Sequence, residues 1–271
     1  MTGDIRIGTQ GWNYTMWTGA FYPTGTREAD FLETYARAFS TVEIDSTFYA
    51  TPAASTVRGW AGRVPESFLF ALKLPQEITH ERRLGDGAVE AAAVFFDRAR
   101  LLERRLGPVL MQLGPDFGPD NFGALAEFLP HVPTDIRLAV EFRQAGWLTP
   151  ETHALLESHR VALALVDARW LPRKRMLALA AKPTTDFAYV RWMGPDRAIT
   201  DYSHVQVDRT SDIEVWAVAL ANVSKRVQGV LGYVNNHFSG HSPSTARDLQ
   251  RLLGQSPVDP ASLGAQISLA L

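Results

Sequence analysis

Acidic and basic side chains stand at the ends of several predicted strands, and they are of the types that enzymes use to move protons. The first such stretch is Thr41–Tyr49, in which apolar and polar residues alternate as in a β-strand. Because successive strand side chains point to opposite faces, we expect Glu43, Asp45 and Thr47 to share the face opposite the apolar residues. A strand of this kind suits a barrel, whose interior can hold polar groups near its open end.

The same feature recurs along the chain, and in barrels the carboxyl ends of the strands and the loops after them form the site. Within their strands, Glu141 and Arg143 share one face. The candidate residues at strand ends, in chain order, are Gln10, Trp12, Glu43, Asp45, Lys73, Gln112, Glu141, Arg143, Asp167, Arg191, Asn235 and Asn236. Converging carboxylates, lysine and arginines shift one another's pKa values and supply acid–base pairs. A layer of mutually satisfied ion pairs that only plugs the barrel is the alternative, and the position at strand ends favours the functional interpretation.

The elements that must position these residues alternate regularly between strand and helix. The predicted strands are Ile5–Gly11, Thr41–Tyr49, Phe68–Pro75, Val109–Gly114, Arg137–Arg143, Ala162–Ala168, Phe187–Met193 and Gly229–Asn236. The predicted helices are Arg27–Ser40, Ser55–Gly62, Gly87–Leu106, Asn121–Leu129, Pro150–His159, Asp212–Val227 and Ser242–Leu253. Strict alternation predicts parallel strands with right-handed crossovers, and about eight units predict an α/β single-domain (β/α)8 TIM barrel.

The limits of that domain follow from the same pattern. A barrel of this kind takes ~250 residues, so the 271 residues form one domain, with a core of about 4–254 and a C-terminal tail, 255–271, left unassigned. Leu171–Thr185 is irregular and is expected to be a loop with extra structure.

The composition excludes several classes of ligand and site and predicts where the protein is located. The net charge of −2 argues against a general polyanion binder, and the lack of cysteine removes disulfides, thiolate metal sites and a cysteine nucleophile. No signal peptide and no apolar stretch long enough to span a bilayer is found, which predicts a cytoplasmic protein with no membrane partner. The oligomeric state stays open.

The loops after the strands indicate an anionic ligand. Aromatic rings suit stacking on sugars or bases, and we expect Trp12, Tyr49 and Trp147 to line the site. His80 begins a basic cluster after the third strand, and His241 ends a histidine-containing loop that leads into a helix N-terminus. Guanidinium groups and free helix N–H groups both bind phosphate or carboxylate. Packing of these rings and solvation of these loops are the alternatives.

Absent motifs limit the cofactors. The chain has no glycine-rich dinucleotide fingerprint, no phosphate-binding loop, no His-Glu-x-x-His and no Gly-x-Ser-x-Gly. We therefore expect no nucleotide cofactor. A divalent metal held by Glu43, Glu141 and Asp167 is an open alternative.

The chain resembles the domain-of-unknown-function-72 proteins, also called YecE-like, nearly from end to end. The matching pieces are Ile-Gly-Thr-Gln-Gly-Trp (7–12), Val-Glu-Ile-Asp-Ser-Thr-Phe-Tyr (42–49), Phe-Ala-Leu-Lys (70–73), Ile-Thr-His (78–80), Gln112-Leu113, Val-Glu-Phe-Arg (140–143), Trp147, Val166-Asp167, Tyr-Val-Arg (189–191) and Asn-Asn-His (235–237). The resemblance implies a (β/α)8 barrel and brings no established activity. One departure is Asp45, where the resemblance leads us to expect asparagine; an additional acid there alters the charge balance around Glu43.

Three functions fit these patterns. The leading one is an enzyme (a hydrolase, lyase or isomerase) acting on a small polar anionic substrate such as a sugar or sugar phosphate, with Glu43 and Glu141 as acid and base. In it Lys73 is an electrophile or charge stabiliser, and Arg143 and Arg191 hold the anion. A second is nucleic-acid binding or phosphodiester cleavage, by a likeness of fold alone to the endonuclease IV class. A third is a non-catalytic barrel that binds a ligand or partner.

Overall fold

The computed structural model of the chain describes residues 2–195 and 198–265, which form an α/β domain built on parallel strands. The strands are β1 Asp4–Thr9, β2 Thr41–Ile44, β3 Leu69–Lys73, β4 Leu106–Gln112, β5 Leu138–Glu141, β6 Ala162–Leu163, β7 Leu165–Ala168, β8 Phe187–Gly194 and β9 Gly229–Val234. Most are apolar on both faces and buried, as expected of parallel strands covered by helices.

Helices connect the strands. They are α1 Phe31–Ala38, α2 Ala54–Ala61, α3 Ala88–Ala99, α4 Phe122–Phe128, α5 Pro150–Ser158, α6 Arg173–Ala180, α7 Thr210–Val223, α8 Asn236–Ser239, α9 Ser242–Leu252 and α10 Pro260–Ala265. Local signals explain where some begin. Thr149 caps α5 by accepting a hydrogen bond from the Thr152 N–H at 3.2 Å, and Pro150 occupies the first turn, where its missing N–H costs nothing.

The strands form two parallel sheets, of order β1-β9-β8-β7 and β2-β3-β4-β5-β6. One isolated parallel bridge, Gln10 to Glu43, connects β1 to β2. Tyr35 strengthens this connection, because its hydroxyl accepts from the Thr9 N–H at 2.9 Å and donates to the Thr41 carbonyl at 3.1 Å. On the other side the chain passes from β6 to β7 across the single residue Ala164.

The second strand is shorter than predicted. It ends at Ile44, and Asp45–Phe48 forms a 3-10 turn. Short polar residues compete with strand pairing by bonding to the nearby backbone, and Thr47 does so through the Ile44 carbonyl at 3.0 Å. The prediction that Asp45 and Thr47 continue the strand face of Glu43 is therefore wrong.

Two further boundaries differ from the prediction. The helix expected over residues 87–106 ends as an α-helix at Ala99 and continues as a 3-10 segment, Arg100–Arg105, interrupted by Glu103 at φ 53°. The segment expected to be a loop with extra structure contains α6. The sequence shows no clear helical period there, because the first three residues of α6, Arg173 to Arg175, are all basic.

The apolar core lies between the strands and the covering helices. Part of the C-terminal segment left unassigned from the sequence joins it, since α10 places Leu263 in the buried set. Among the described residues, no helix combines the length and the apolar content needed to cross a membrane.

Candidate functional site

Parallel register brings the polar strand ends together at one edge. Glu43 pairs with Ala71 on β3 and Gln112 pairs with Glu141 on β5, while Val166 pairs with Arg191 on β8. The carboxyl ends of parallel strands meet at the same edge of a sheet, which is where active sites of such folds lie.

Arg191 is the centre of the charged cluster. Its side chain is 1% exposed, and its Nε and Nη2 atoms contact the Glu43 carboxylate at 3.0 and 2.7 Å. Its Nη1 donates to Glu141 Oε2 at 2.5 Å. Tyr189, two residues earlier on the same strand face, donates its hydroxyl hydrogen to Glu43 Oε2 at 2.6 Å. One guanidinium thus bridges two fully buried carboxylates.

Glu141 has a second cationic neighbour. Arg143 Nε lies 2.8 Å from Glu141 Oε1, although Oε1 is sealed from solvent without a well-aligned hydrogen bond among the described residues. The Arg143 guanidinium also lies over the Trp170 ring, 4.1 Å from its centroid, a cation–π contact. Arg143 is therefore held by the ring as well as by the carboxylate.

Burial and neighbouring charges shift the pKa values of the two carboxylates in opposite directions. Burial raises the pKa of Glu43 to about 7, helped by the nearby Asp45 carboxylate and opposed by Arg191. Burial acts on Glu141 in the same sense, but Arg191, Arg143 and Lys73 together outweigh it and hold the pKa of Glu141 below its ordinary value. The pKa of Glu43 is thus raised and that of Glu141 lowered, so Glu43 is the more readily protonated of the two.

Lys73 lies at the end of β3 with 8% of its surface exposed. Its Nζ lies 3.8 Å from the centroid of the Phe48 ring. Its backbone is fixed by Thr47, whose hydroxyl accepts from the Lys73 N–H at 3.0 Å and donates to the Lys73 carbonyl at 2.7 Å. Burial, and then repulsion from Arg191, lowers the pKa of Lys73 to about 8.

A cavity of about 660 Å³ opens beside this cluster. Its lining residues are Pro115, Arg143, Arg169, Trp170, Met193, Gly194, Pro195, Asn235 and His237. Beneath it, Asn235 Nδ2 donates to Gln10 Oε1 at 2.7 Å, and Gln10 Nε2 lies 3.0 Å from Met193 Sδ. The cavity has the size of a small-molecule site, and its cations favour an anion.

Asp167 lies in different surroundings. It accepts from Trp216 Nε1 at 2.7 Å and lies 2.8 Å from Arg173 Nε, beside a smaller cavity of about 220 Å³ that also contacts Arg169. The three-carboxylate metal set considered from the sequence is therefore not assembled. Among residues 2–195 and 198–265, no three His, Cys, Asp or Glu side chains are grouped so that they could hold a metal ion.

Several predicted binding residues are placed as supports. Trp147 is buried, stacks on Phe117 and Phe142, and donates through Nε1 to the Phe117 carbonyl at 2.8 Å. Tyr49 is 74% exposed, so its ring does not wall a cavity. Half-buried Trp12 packs edge-on against other rings.

The predicted residues of the histidine-containing region also make internal contacts. Asn236 Oδ1 accepts from Trp17 Nε1 at 3.2 Å and from the Ser242 hydroxyl at 2.8 Å. Buried His241 pairs through Nδ1 with Ser244 at 2.8 Å, and burial lowers the pKa of His241 to about 4.

His80 remains near the site. Its ring meets the edge of Phe48 with centroids 5.0 Å apart, and burial together with Lys73 lowers the pKa of His80. Tyr189 was absent from the sequence candidates, although its two-residue spacing from Arg191 was a usable signal. No sequence signal indicated Phe48, because a 3-10 turn brings its ring to Lys73 and the sequence pattern predicted a strand at that place.

Two curated proteins are similar to this chain. The "UPF0759 protein YunF" of Bacillus subtilis (strain 168) is 24% identical over 271 residues, covering 92% of this chain and 94% of that protein. The "UPF0759 protein YecE" of Escherichia coli (strain K12) is 32% identical over 139 residues, covering 51% of this chain and 48% of that protein.

Solved structures show the same fold. A DUF72 family protein from Thermotoga maritima MSB8 superposes with a TM-score of 0.79 at 24% identity, covering 93% of this chain and all of that one (100%). One from Enterococcus faecalis V583 superposes with a TM-score of 0.74 at 22% identity, covering 94% and 99%. The sequence profile of the family described as "Protein of unknown function DUF72" matches residues 6–266, and the chain belongs to that family.

Proposed function

We propose that this protein is an enzyme that carries out carboxylate acid–base chemistry on a small polar anionic substrate at the carboxyl ends of its strands. The observation that carries the proposal is the pair of buried carboxylates, Glu43 and Glu141, held by one arginine with their pKa values displaced in opposite directions. Neighbouring carboxyl groups whose environments separate their protonation states supply a general acid and a general base. Glu43 is the acid and Glu141 the base.

The Arg143 side chain connects this pair to the cavity. It contacts Glu141 on one side and lines the 660 Å³ cavity on the other. Glu141 Oε1 makes no well-aligned hydrogen bond within the described part of the chain, and an anionic group in the cavity would compete with this carboxylate for the Arg143 guanidinium. Substrate binding would then free Oε1 of Glu141 to accept a proton.

The charge of the cavity favours an anion. Arg169 lines it, and among the described residues no carboxylate lies within 4 Å of this guanidinium. His237 and Arg143 add further donors. Planar guanidinium groups match carboxylate and phosphate oxygens in pairs, so a substrate carrying either group suits this wall.

The site also implies a closed architecture. We infer that the two sheets form one (β/α)8 barrel, joined by the Gln10–Glu43 bridge on one side and by the direct passage through Ala164 on the other. In such a barrel the strand ends surround a single opening. That arrangement supports placing the acid, the base and Lys73 in one site.

The nucleic-acid alternative draws less support from the surface charges. The basic residues expected to hold phosphates are largely neutralised, since Arg82 pairs with Glu77 at 2.8 Å, Arg83 with Asp116, and Arg173 with Asp167 and Asp212. Binding to DNA is therefore kept as an outcome of the binding test.

A thermal-shift panel tests the binding claim. It would contain sugar phosphates, small carboxylates, nucleotides, abasic DNA and divalent metals, each at two salt concentrations. A ligand at a hundredfold excess over its Kd stabilises by ~2.7 kcal/mol. We expect a small anion to raise the midpoint, and Arg143→Ala to abolish the shift. Arg27→Ala is the matched control, because Arg27 lies in an exposed ion pair. A salt-sensitive shift from DNA alone would contradict the proposal.

Turnover tests the acid–base claim. Any ligand that shifts the midpoint would be incubated with the protein and followed by NMR. We expect Glu43→Gln and Glu141→Gln to bind the ligand and to lose turnover by at least about a hundredfold, as removal of a general acid or base does. Turnover that survives both changes would contradict the assignment.

A further inference from the structure

Lys73 is a buried amine that the acid–base pair does not use. The lysine lies at the end of β3 within the charged cluster, yet no carboxylate of the described chain lies within 4 Å of its Nζ. Its Nζ faces the Phe48 ring at 3.8 Å. The residue keeps 8% of its surface exposed.

The surroundings fix this amine in place. Thr47 binds both the N–H and the carbonyl of Lys73, which holds the start of the side chain. A lysine kept only for charge balance would form an ion pair with one of the nearby acids, since a paired buried charge is far cheaper than an unpaired one. Lys73 instead lies over the Phe48 ring, a cation–π contact that stabilises the ammonium form, and Asp45, Glu141 and Glu43 act in the same sense from beyond ion-pair distance. Burial and the like-charged Arg191 oppose these contacts and outweigh them, which favours the neutral amine.

We propose that Lys73 is a nucleophile that forms an imine with the carbonyl group of the substrate, which makes the substrate an anionic aldehyde or ketone. This inference rests on the proposed function, because it assigns a substrate class to the same site. The anionic group would bind Arg143 and Arg169 in the cavity wall. Lys73 is not itself a lining residue of that cavity, so the inference includes that the carbonyl end of the substrate reaches Nζ past Arg143.

The step balances without any further reactant. The neutral Nζ donates its electron pair to the carbonyl carbon, and the carbonyl oxygen takes up a proton to give a carbinolamine. Nitrogen loses two protons in all, one as the carbinolamine forms and one as the C=N bond forms, and the hydroxyl group takes up a second proton and leaves as water. The protonated Glu43 carboxyl and the ionised Glu141 carboxylate are the donor and acceptor that the site holds for these transfers. The sum is amine plus carbonyl compound to imine plus water.

The direction of the Lys73 pKa agrees with this role. Burial and Arg191 lower it to about 8, so a useful fraction of the amine is neutral near neutral pH. Desolvated lysines beside another cation are the ones that act as Schiff-base nucleophiles.

Reductive trapping tests the inference. The wild-type protein would be incubated with glyoxylate, the smallest anionic aldehyde, and sodium cyanoborohydride, and the carboxymethylated lysines would be located by peptide mass spectrometry. The chain has three other lysines, Lys174, Lys182 and Lys225, all exposed. We expect Lys73 to be modified about tenfold faster than these, despite its burial, with a rate that rises as the pH is raised through about 8.

Two comparisons sharpen the result. Propionaldehyde lacks the carboxylate, so its preference for Lys73 should be smaller, and Arg143→Ala should reduce the glyoxylate preference to the same level. Lys174→Arg is the matched control and should leave the Lys73 rate unchanged. Because the mapping is made on the wild-type chain, it does not depend on whether Lys73→Arg folds.

The results that would overturn the imine differ from those that would overturn the proposed acid–base enzyme. Modification of Lys73 that is absent, or no faster than that of the exposed lysines, overturns the imine. If small anions still raise the midpoint and Glu141→Gln still loses turnover, the acid–base enzyme stands without it.

Discussion

At the scale of single residues, the geometry of Arg191 decides how the site is charged. Its planar fork contacts both oxygens of Glu43 and one of Glu141, with Asp45 at 3.7 Å. An ammonium group is a point charge and could not hold two carboxylates in a fixed plane. The arginine therefore fixes the orientation of both acids, and together with Arg143 and Lys73 it lowers the pKa of Glu141.

The cost of removing the second acid follows from this arrangement. Glu141→Gln removes the carboxylate that Arg143 and half of Arg191 contact, and loss of one partner of a buried ion pair costs about 3 kcal/mol of unfolding free energy. We expect a loss of that size in chemical denaturation. Asp135→Asn is the control, since its ion pair with Arg100 is largely exposed and should contribute much less. A Glu141→Gln protein as stable as the wild type would show that the cluster is not held as described.

Part of the site could be predicted from residue types and spacing. Glu43, Lys73, Glu141 and Arg191 stand at strand ends in a parallel fold, and the structure brings them together. The placement of Asp45 was not predictable, because its alternation with Glu43 continues across a turn. The contact between Lys73 and Phe48 depends on that same turn, so the local pattern carried no sign of it.

At the scale of elements, the end of β8 is shaped by a close backbone approach. Gly194 has φ 81°, and a Cβ atom there would clash with the His237 carbonyl oxygen. Only glycine fits both the left-handed conformation and the contact. This approach brings β8 against the segment after β9, where both line the cavity.

Two glycine substitutions separate the effect of the left-handed backbone from the effect of the close contact with His237. Gly25 has φ 86°, and a Cβ atom added there would have nothing within 4 Å. Gly25→Ala should therefore lower the unfolding free energy only by the cost of placing alanine in a left-handed conformation, about 1–2 kcal/mol. Gly194→Ala should cost more than that and should also weaken ligand binding, because the His237 backbone must move. Thermal unfolding of both variants measures the difference. Equal losses would contradict the role of the contact.

The existence and order of the elements followed from periodicity, whereas their ends did not. The alternation of strands and helices predicted the parallel α/β fold, which is confirmed. The 3-10 segment after α3 and the turn after β2 arise from hydrogen bonds between residues close in sequence. Such bonds compete with regular helix and strand pairing, and they leave no trace in the order of apolar and polar residues.

At the scale of the whole molecule, the two sheets depend on each other. Glu43 belongs to one sheet and Arg191 to the other, so the charged cluster itself crosses between them. Tyr233 on β9 adds a further connection through the Thr41 hydroxyl at 2.8 Å. Separate unfolding of either sheet would leave buried charges without partners.

We therefore expect one cooperative unfolding transition. The seven tryptophans report on packing and far-ultraviolet circular dichroism reports on helices, and the two denaturation curves should coincide, as for a two-state domain. Two separated midpoints would contradict the proposed closed barrel.

The central claim is that two neighbouring buried carboxyl groups carry different protonation states, and infrared spectroscopy of the carboxyl C=O stretch measures this most directly. Because the pKa of Glu43 is raised to about 7, a band from a protonated buried carboxyl should be present at pH 5 to 6 and disappear as the pH rises through about 7. The band should be absent in Glu43→Gln and retained in Glu141→Gln, since the carboxyl that Glu141→Gln removes has its pKa lowered. A band that vanishes only in Glu141→Gln, or no titrating band at all in the wild type, would contradict the claim.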